Sequence, residues 1–255
     1  YKLTVSGFAL NYATPVGLMG GEPYRIMELT PYVGASKATS SVILYVMMHI
    51  FSHFCFWFFS IFLYLALRPV DIAMGTILAV VGAVSLLAIY FFMKGYKNGM
   101  AVRTLKLLQH IPFIKEWAKR FSENKREALE RVDSQIAELH KQRRSTFYAS
   151  LSLEFMARII GCLEVYFILN ILTTDVSFPA CILIMAFTSL FANLFFFSPM
   201  QLGAREGGFA LAVGGLAIPG AFGVYTGLIT RVRELIWIVI GVLLMKVGNG
   251  TPANK

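Results

Sequence analysis

Four apolar runs, at 42–67, 72–93, 147–172 and 178–197, leave this chain little choice of architecture. Each is near or above the ~18–20 residues that an α-helix needs to cross a bilayer. Backbone N–H and C=O groups have no water to bond in hydrocarbon, so such runs satisfy them internally, as helices. Composition excludes a soluble alternative. Hydrophobic residues make up 57% of the chain and charged residues 15%, and the mean hydropathy is +0.66. That leaves too little polar surface to coat a water-soluble domain. A lone signal peptide is excluded too, because several runs lie far inside the chain.

Two further stretches are less regular. One, at 3–18, is broken by Asn11, Pro15 and Gly17. The other, at 209–247, is long enough for two passes, or for a re-entrant hairpin plus one pass, with Pro219-Gly220 as its natural break. The expected fold is all-α: a polytopic membrane helical bundle with broken or re-entrant helices, residues 1–255 forming one transmembrane domain. The chain opens on Tyr1 in mid-pattern, so at least one further N-terminal span is expected.

Between about 94 and 145 the composition changes. Lysine and arginine outnumber the acids, Phe113, Trp117 and Phe121 recur every four residues, and Leu129, Val132, Ile136 and Leu139 every three or four. This is amphipathic periodicity, read as a helical hairpin on the membrane surface. The turns Arg68-Pro69-Val70-Asp71 and Thr173-Thr174-Asp175 are short and nearly uncharged. The positive-inside rule therefore puts 94–145 in the cytoplasm and those turns outside, in a multi-pass protein of the bacterial cytoplasmic (inner) membrane. Counting along the spans then places Glu22, Arg25 and Lys37 at the cytoplasmic face and returns Phe197 to it. The net charge of +9, concentrated between spans, points to an anionic membrane surface and no nucleic-acid partner.

A charged side chain at the centre of a membrane helix costs ~2.5–3.5 kcal/mol on insertion scales, so each one asks for a partner or a function. Two stretches share a pattern. An apolar helix bearing Asn11 or Asn193 meets Pro15 or Pro199, then Gly20 and Gly21 or Gly203, then Glu22 with Arg25 or Arg205 with Glu206. In both, Glu follows Pro by seven residues, a faint internal repeat. Helix breaks at membrane depth are tolerated only where protein or a watery cavity surrounds the freed backbone groups. Paired breaks in corresponding halves point to a transporter's binding site. Two ordinary interfacial turns would show the same spacing, and an inverted repeat requires one or both to dip inward.

Arg231, Arg233 and Glu234 fall in the middle of 221–245, with Arg231 and Glu234 on one face. Arginines facing a bundle interior suit phosphate oxygens. Arg158 follows Glu154 by one turn, with Glu164 beyond; the first two either pair or line one cavity. The binding candidates are thus Glu22, Arg25, Arg158, Arg205, Glu206, Arg231 and Glu234. Helix breaks are expected at Pro15, Gly20, Gly21, Pro199 and Gly203.

His49 and His53 share a helix face, but no Glu follows His49 as in a His-Glu-x-x-His protease. Helix–helix hydrogen bonding suits them better than metal. Cys55, Cys162 and Cys181 lie far apart in apolar runs, which disfavours disulfides and thiolate metal sites. No Ser-His-Asp arrangement, P-loop or Cys-x-x-Cys is present. No catalytic residue, metal or cofactor is expected.

Gly21-Glu22-Pro23-Tyr24-Arg25 and Ser198-Pro199-Met200-Gln201-Leu202-Gly203-Ala204-Arg205-Glu206 resemble the flippase-like transmembrane family typified by the membrane domain of lysylphosphatidylglycerol synthetase. Its members resemble this chain in a Gly-Glu or Gly-Asp and Arg after a broken helix, and in a later Ser-Pro-Gly-Gly-x-Gly-x-Arg-Glu element. Arg231 matches an arginine of the family's last helical pair. Met200-Gln201 replaces the usual Gly-Gly, and the region of His49 carries an acidic-basic pair in relatives. The resemblance implies movement of a phospholipid or isoprenoid-linked lipid between leaflets, and no aminoacyl transfer, which belongs to a separate soluble domain.

The leading expectation is a flippase-like protein in which Glu22, Arg25, Arg205, Glu206 and Arg231 line a polar cavity for a lipid with an anionic headgroup. Two other classes stay open: a non-catalytic membrane partner that positions an envelope-biosynthesis enzyme through 94–145, and a headgroup-modifying enzyme using His49, His53 or the acids.

Overall fold

The computed structural model describes residues 1–13, 20–98, 134, 144–173, 176–195 and 201–246. Pro15, Pro199 and nearly all of the basic segment with its expected hairpin lie outside the described residues. The described chain is helical throughout: α1 (Lys2–Ala13), α2 (Gly21–Val33), α3 (Ala35–Leu67), α4 (Ile72–Asn98), α5 (Arg144–Leu172), α6 (Phe178–Leu194), α7 (Ala204–Gly214) and α8 (Gly220–Lys246). It forms an all-α membrane bundle, as expected.

Three helices are long and apolar enough to span a bilayer: α3, α4 up to Lys94, and α5 from Ser145. Their outward faces carry exposed Ile77, Val80, Val84, Leu153 and Phe167, a surface suited to lipid and not to water. α8 matches α4 at 27 residues but carries charge at its centre. The other helices are too short. α1 has 12 residues and α6 has 17, rising only ~18 and ~25 Å against a ~30 Å hydrocarbon core.

The segment 99–143 joins α4 to α5, and we call that end of the bundle the basic end. α3 and α4 are antiparallel: Phe51 stacks on Phe92 at 4.1 Å, and Gly82 lies against Ile61. α5 runs parallel to α3, pairing Glu154 with His49 and Arg158 with Ser52. The α5–α6 turn is clamped by Asn170, whose amide donates to the Tyr166 and Val176 carbonyls and accepts from Val176 N–H. Ser177 then caps α6 by accepting from Ala180 N–H, with Pro179 in its first turn.

The short helices are arms of two hairpins. α2 runs back along α1: Asn11 contacts Gly21 and Glu22, Gly7 meets Arg25, and Leu3 and Thr4 share a pocket with Leu29. Gly34, at φ 82°, reverses the chain in one residue, so α3 descends antiparallel to α2 from the basic end. α7 likewise returns along α6, setting Gly208 against Thr188 and Phe191, and Phe209 and Val213 in a core with Cys181 and Ile184. α8 then runs from the opposite end to the basic end, antiparallel to α7 and to α1, with Gly223 against Phe209 and Gly241 against Val5.

The units α1–α2–α3 and α6–α7–α8 therefore repeat one pattern, hairpin then long helix, inverted with respect to each other. Phe197, which the count along the spans brought back to the cytoplasmic face, lies outside the described residues. α6 stops part-way and α7 reverses beside it, so the chain regains the opposite end. Residues 209–246 form the last part of a hairpin arm followed by one long helix, α8.

Candidate functional site

The two hairpin tips carry the charges. At the first, Asn11 closes the turn from α1: its Oδ1 accepts from Gly21 N–H at 2.6 Å and its Nδ2 donates to Glu22 Oε1 at 3.0 Å. Arg25 Nη1 donates to the same Glu22 oxygen at 3.4 Å, and its guanidinium lies over the Tyr45 ring at 4.8 Å. Gly21 is required here by space, because a Cβ would strike the Gly7 carbonyl on the facing helix.

At the second tip Gly203 takes φ 79° and α7 begins. Glu206, three residues on, accepts the Gly203 N–H at 2.9 Å through Oε2, satisfying a helix-start donor. Its other oxygen, Oε1, takes Arg231 Nε at 2.7 Å. Arg231 Nη2 also donates to the Gln201 carbonyl at 3.0 Å. Arg205 bonds Glu234, and Arg233 Nε reaches Glu164 Oε1 on α5 at 2.9 Å. Arg205, Arg231 and Arg233 thus meet Glu234, Glu206 and Glu164, and formal charge balances. Arg231 and Glu234 are buried at 8% and 3% exposure, whereas the Arg233 side chain is 49% exposed.

Both tips lie inside the bundle, part-way along it from the basic end. Leu3 is level with Ser41 and Val42, where α3 turns apolar, and Asn11 lies eight residues further along α1, about 12 Å at 1.5 Å per residue. Ser6 Oγ donates to the Gly241 carbonyl at 3.0 Å, and Glu234 lies seven residues inward from Gly241, about 10 Å. Tyr12, beside the first tip, is within electrostatic reach of Arg205, Arg231 and Glu234. Glu22 Oε2 and Glu234 Oε2 are buried without a hydrogen bond among the described residues.

The expected site residues fall in three places and not one. Arg205, Glu206, Arg231 and Glu234 converge. Glu22 and Arg25 pair with each other, whereas Arg205 and Arg231 pair with Glu234 and Glu206. Arg158 stands apart on α5. It does not pair with Glu154, which lies 3.4 Å from His49 Nδ1; Arg158 Nε donates to Ser52 Oγ at 2.8 Å and Nη2 to the His49 carbonyl at 2.9 Å. His49 and His53 meet edge to face at 5.3 Å. Among the described residues no group of three or more His, Cys, Asp or Glu is placed to hold a metal. Sequence reasoning did not single out Tyr45, Ser52 or the Arg233–Glu164 pair. Arg233 and Glu164 were visible as mid-span charges, but their pairing joins helices far apart in sequence.

The model of the family described as lysylphosphatidylglycerol synthase TM region matches residues 1–241. No curated protein matches the chain, and no solved structure matches it.

Proposed function

We propose a function from one premise, that the chain belongs to the lysylphosphatidylglycerol synthase TM region family: it moves a phospholipid, or an isoprenoid-linked lipid, between the leaflets of a bacterial cytoplasmic membrane. The observation that carries this reading is the pair of short-armed hairpins, inverted with respect to each other, whose charged tips lie inside the bundle. Broken helices in inverted halves are how membrane transporters build a polar site at the midplane. The basic composition of 94–145 assigns the basic end to the cytoplasm.

The reading divides the arginines by role. Arg231 and Arg205 are engaged by Glu206 and Glu234 and fasten the second hairpin to α8. Arg233 is half exposed and held by Glu164 at 2.9 Å, with Glu234 further off at 4.0 Å, so it is the arginine of this cluster that exchanges a carboxylate for a headgroup phosphate most readily. Buried Glu22 Oε2 and Glu234 Oε2 offer acceptors to headgroup hydroxyl or amine donors. Acyl tails stay in the bilayer against the apolar outer faces. No covalent step is needed.

The test is translocation in vesicles. The purified chain is reconstituted with a fluorescent phospholipid, and the outer leaflet is bleached with dithionite. Acceleration over protein-free vesicles, reduced about tenfold by Arg233→Gln, is the expected result; the magnitude follows from losing a hydrogen bond to a charged group. A wild-type chain that accelerates no lipid tested would sink the proposal.

A further inference from the structure

Two groups of opposite charge contest one nitrogen, His49 Nδ1. Glu154 Oε2 lies 3.4 Å from it and Arg158 Nη2 lies 3.5 Å from it. A ring nitrogen that carries a proton donates, and one without a proton accepts. With a proton on Nδ1 the ring binds the carboxylate; without it, the ring accepts from the guanidinium. Glu154 and Arg158 stand one turn apart on α5, so gain or loss of a proton selects which turn of α5 the ring holds. Arg158 keeps its bonds to Ser52 Oγ and the His49 carbonyl in either state.

His53 lies one turn further along α3, its ring edge to face with His49 at 5.3 Å. Its Nδ1 is buried with no hydrogen-bond partner among the described residues. Helix–helix hydrogen bonding, the expectation for both histidines, is not what this nitrogen does. It is a second place for a proton, within electrostatic reach of Arg158.

Access comes from the basic end. A groove of about 580 Å³ between α3 and α5 is lined by the hydroxyls of Ser41, Tyr45, Thr146 and Ser150 and by Glu154. It meets His49 through Glu154 and through Tyr45, whose ring stacks on the imidazole at 6.2 Å. The His49 side chain is 48% exposed. Hydroxyls and a carboxylate around a space of this size suit water, which brings protons to the pair. Other charged or titratable groups around it are spoken for. Arg25 of α2 lies over Tyr45, Cys55 of α3 faces Arg158, and Lys94 of α4 bonds Tyr90 on its own helix. α6 carries no charged residue.

We propose that His49, set between Glu154 and Arg158, is a proton-binding site open to the basic end, with His53 as the acceptor behind it, and that protons bound there are linked to lipid movement. The linkage rests on the translocation reading; the proton site does not.

Nitrogen-15 NMR of the histidine rings, on the full chain in nanodiscs, tests the site between pH 5 and 8, the range in which an imidazole changes charge. Met48-His49 is the only Met-His pair in the sequence, so joint labelling of methionine carbonyls and histidine assigns His49 without a variant. Its Nδ1 is expected to be protonated at pH 5 and unprotonated at pH 8. At the wild-type midpoint, Glu154→Gln should lower the ratio of protonated to unprotonated ring about three- to tenfold, and Arg158→Gln should raise it by as much, each from the loss of one neighbouring charge. A ring that does not change over this range, or that responds in the same direction to both variants, would overturn the site. Linkage is read in dithionite-bleached vesicles carrying a pH difference across the membrane. Lipid crossing should change severalfold when the gradient is reversed in wild type, and should not in His49→Gln. An equal response in the two, or a wild type indifferent to the gradient, would overturn the linkage and leave the proton site standing. A wild type that moves no lipid refutes the translocation reading and the linkage with it, and the NMR titration still decides the site.

Discussion

Arg231 grips both ends of one turn: its Nε donates to Glu206 Oε1 at 2.7 Å and its Nη2 to the Gln201 carbonyl at 3.0 Å. A single side chain on α8 thereby fixes the tip of the α6–α7 hairpin, and Glu206 in turn caps the start of α7 through Gly203. The pair is as much a fastening as a binding site. An arginine buried at membrane depth and already neutralised has little charge left for a ligand, which moves the substrate-contacting role toward the half-exposed Arg233.

Breaking the fastening should therefore cost stability first. Arg231→Met leaves Glu206 and the Gln201 carbonyl without their partner, and removing one member of a buried pair typically costs about 3–5 kcal/mol. The melting temperature in detergent should fall clearly. Glu206→Gln should fall as well, and the double variant Arg231→Met/Glu206→Gln should be less destabilised than the sum of the two. Strict additivity would mean that the two side chains do not interact.

Arg233→Gln should behave the other way round. The Arg233 side chain is 49% exposed, against 10% for Arg231, so the melting temperature of the variant should fall less than that of Arg231→Met while lipid crossing slows. A large loss of stability with unchanged crossing of the surviving protein would return the functional role to Arg231 or Arg205.

Much of this was legible before any coordinate. The apolar runs share the start of α4 and the ends of α3 and α5, while α3 begins earlier, at Ala35; Glu22 and Glu206 fall in the first turns of α2 and α7. What spacing could not show was direction. A run of 178–197 counts as one crossing on hydropathy, and only the packing of Phe209 and Gly208 onto α6 shows the chain turning back. Pairing was hidden for the same reason. Glu154 and Arg158 are one turn apart and look like partners, yet His49 on another helix takes the carboxylate. A periodicity argument sees one helix at a time, and these choices are made between helices.

Close helix contacts give a prediction that involves no charge. A Cβ on Gly241 would lie 2.5 Å from Ala9 Cβ and 2.6 Å from the Val5 carbonyl, where α1 crosses α8. Gly241→Ala should wedge the first hairpin off α8 and destabilise by about 1–3 kcal/mol, as overpacking does. Gly161 on α5 has nothing within 4 Å of its Cβ position. Gly161→Ala should be neutral or stabilising by up to ~1 kcal/mol, since alanine favours the helix. The melting temperatures of the two variants should separate, and equal values would mean that α1 and α8 are not in contact as described.

The inverted arrangement itself can be read from outside the membrane. Lys37 is exposed at the start of α3, Pro219 is exposed just before α8, and Leu202 is exposed at the second hairpin tip. Cys162 and Cys181 are buried and Cys55 is partly so, which keeps the background to a membrane-impermeant maleimide low. If the hairpins insert from opposite ends, Lys37→Cys reacts from the face that bears the basic segment and Pro219→Cys from the other. Leu202→Cys, at a tip inside the bundle, reacts more slowly than Lys37→Cys from the basic face. A simple count of spans gives a different pattern, with residues 37 and 202 reacting alike from the same side. Matched rates for those two positions, or labelling of Lys37→Cys and Pro219→Cys from one face, would refute the opposed hairpins, and with them the polar site on which lipid movement depends.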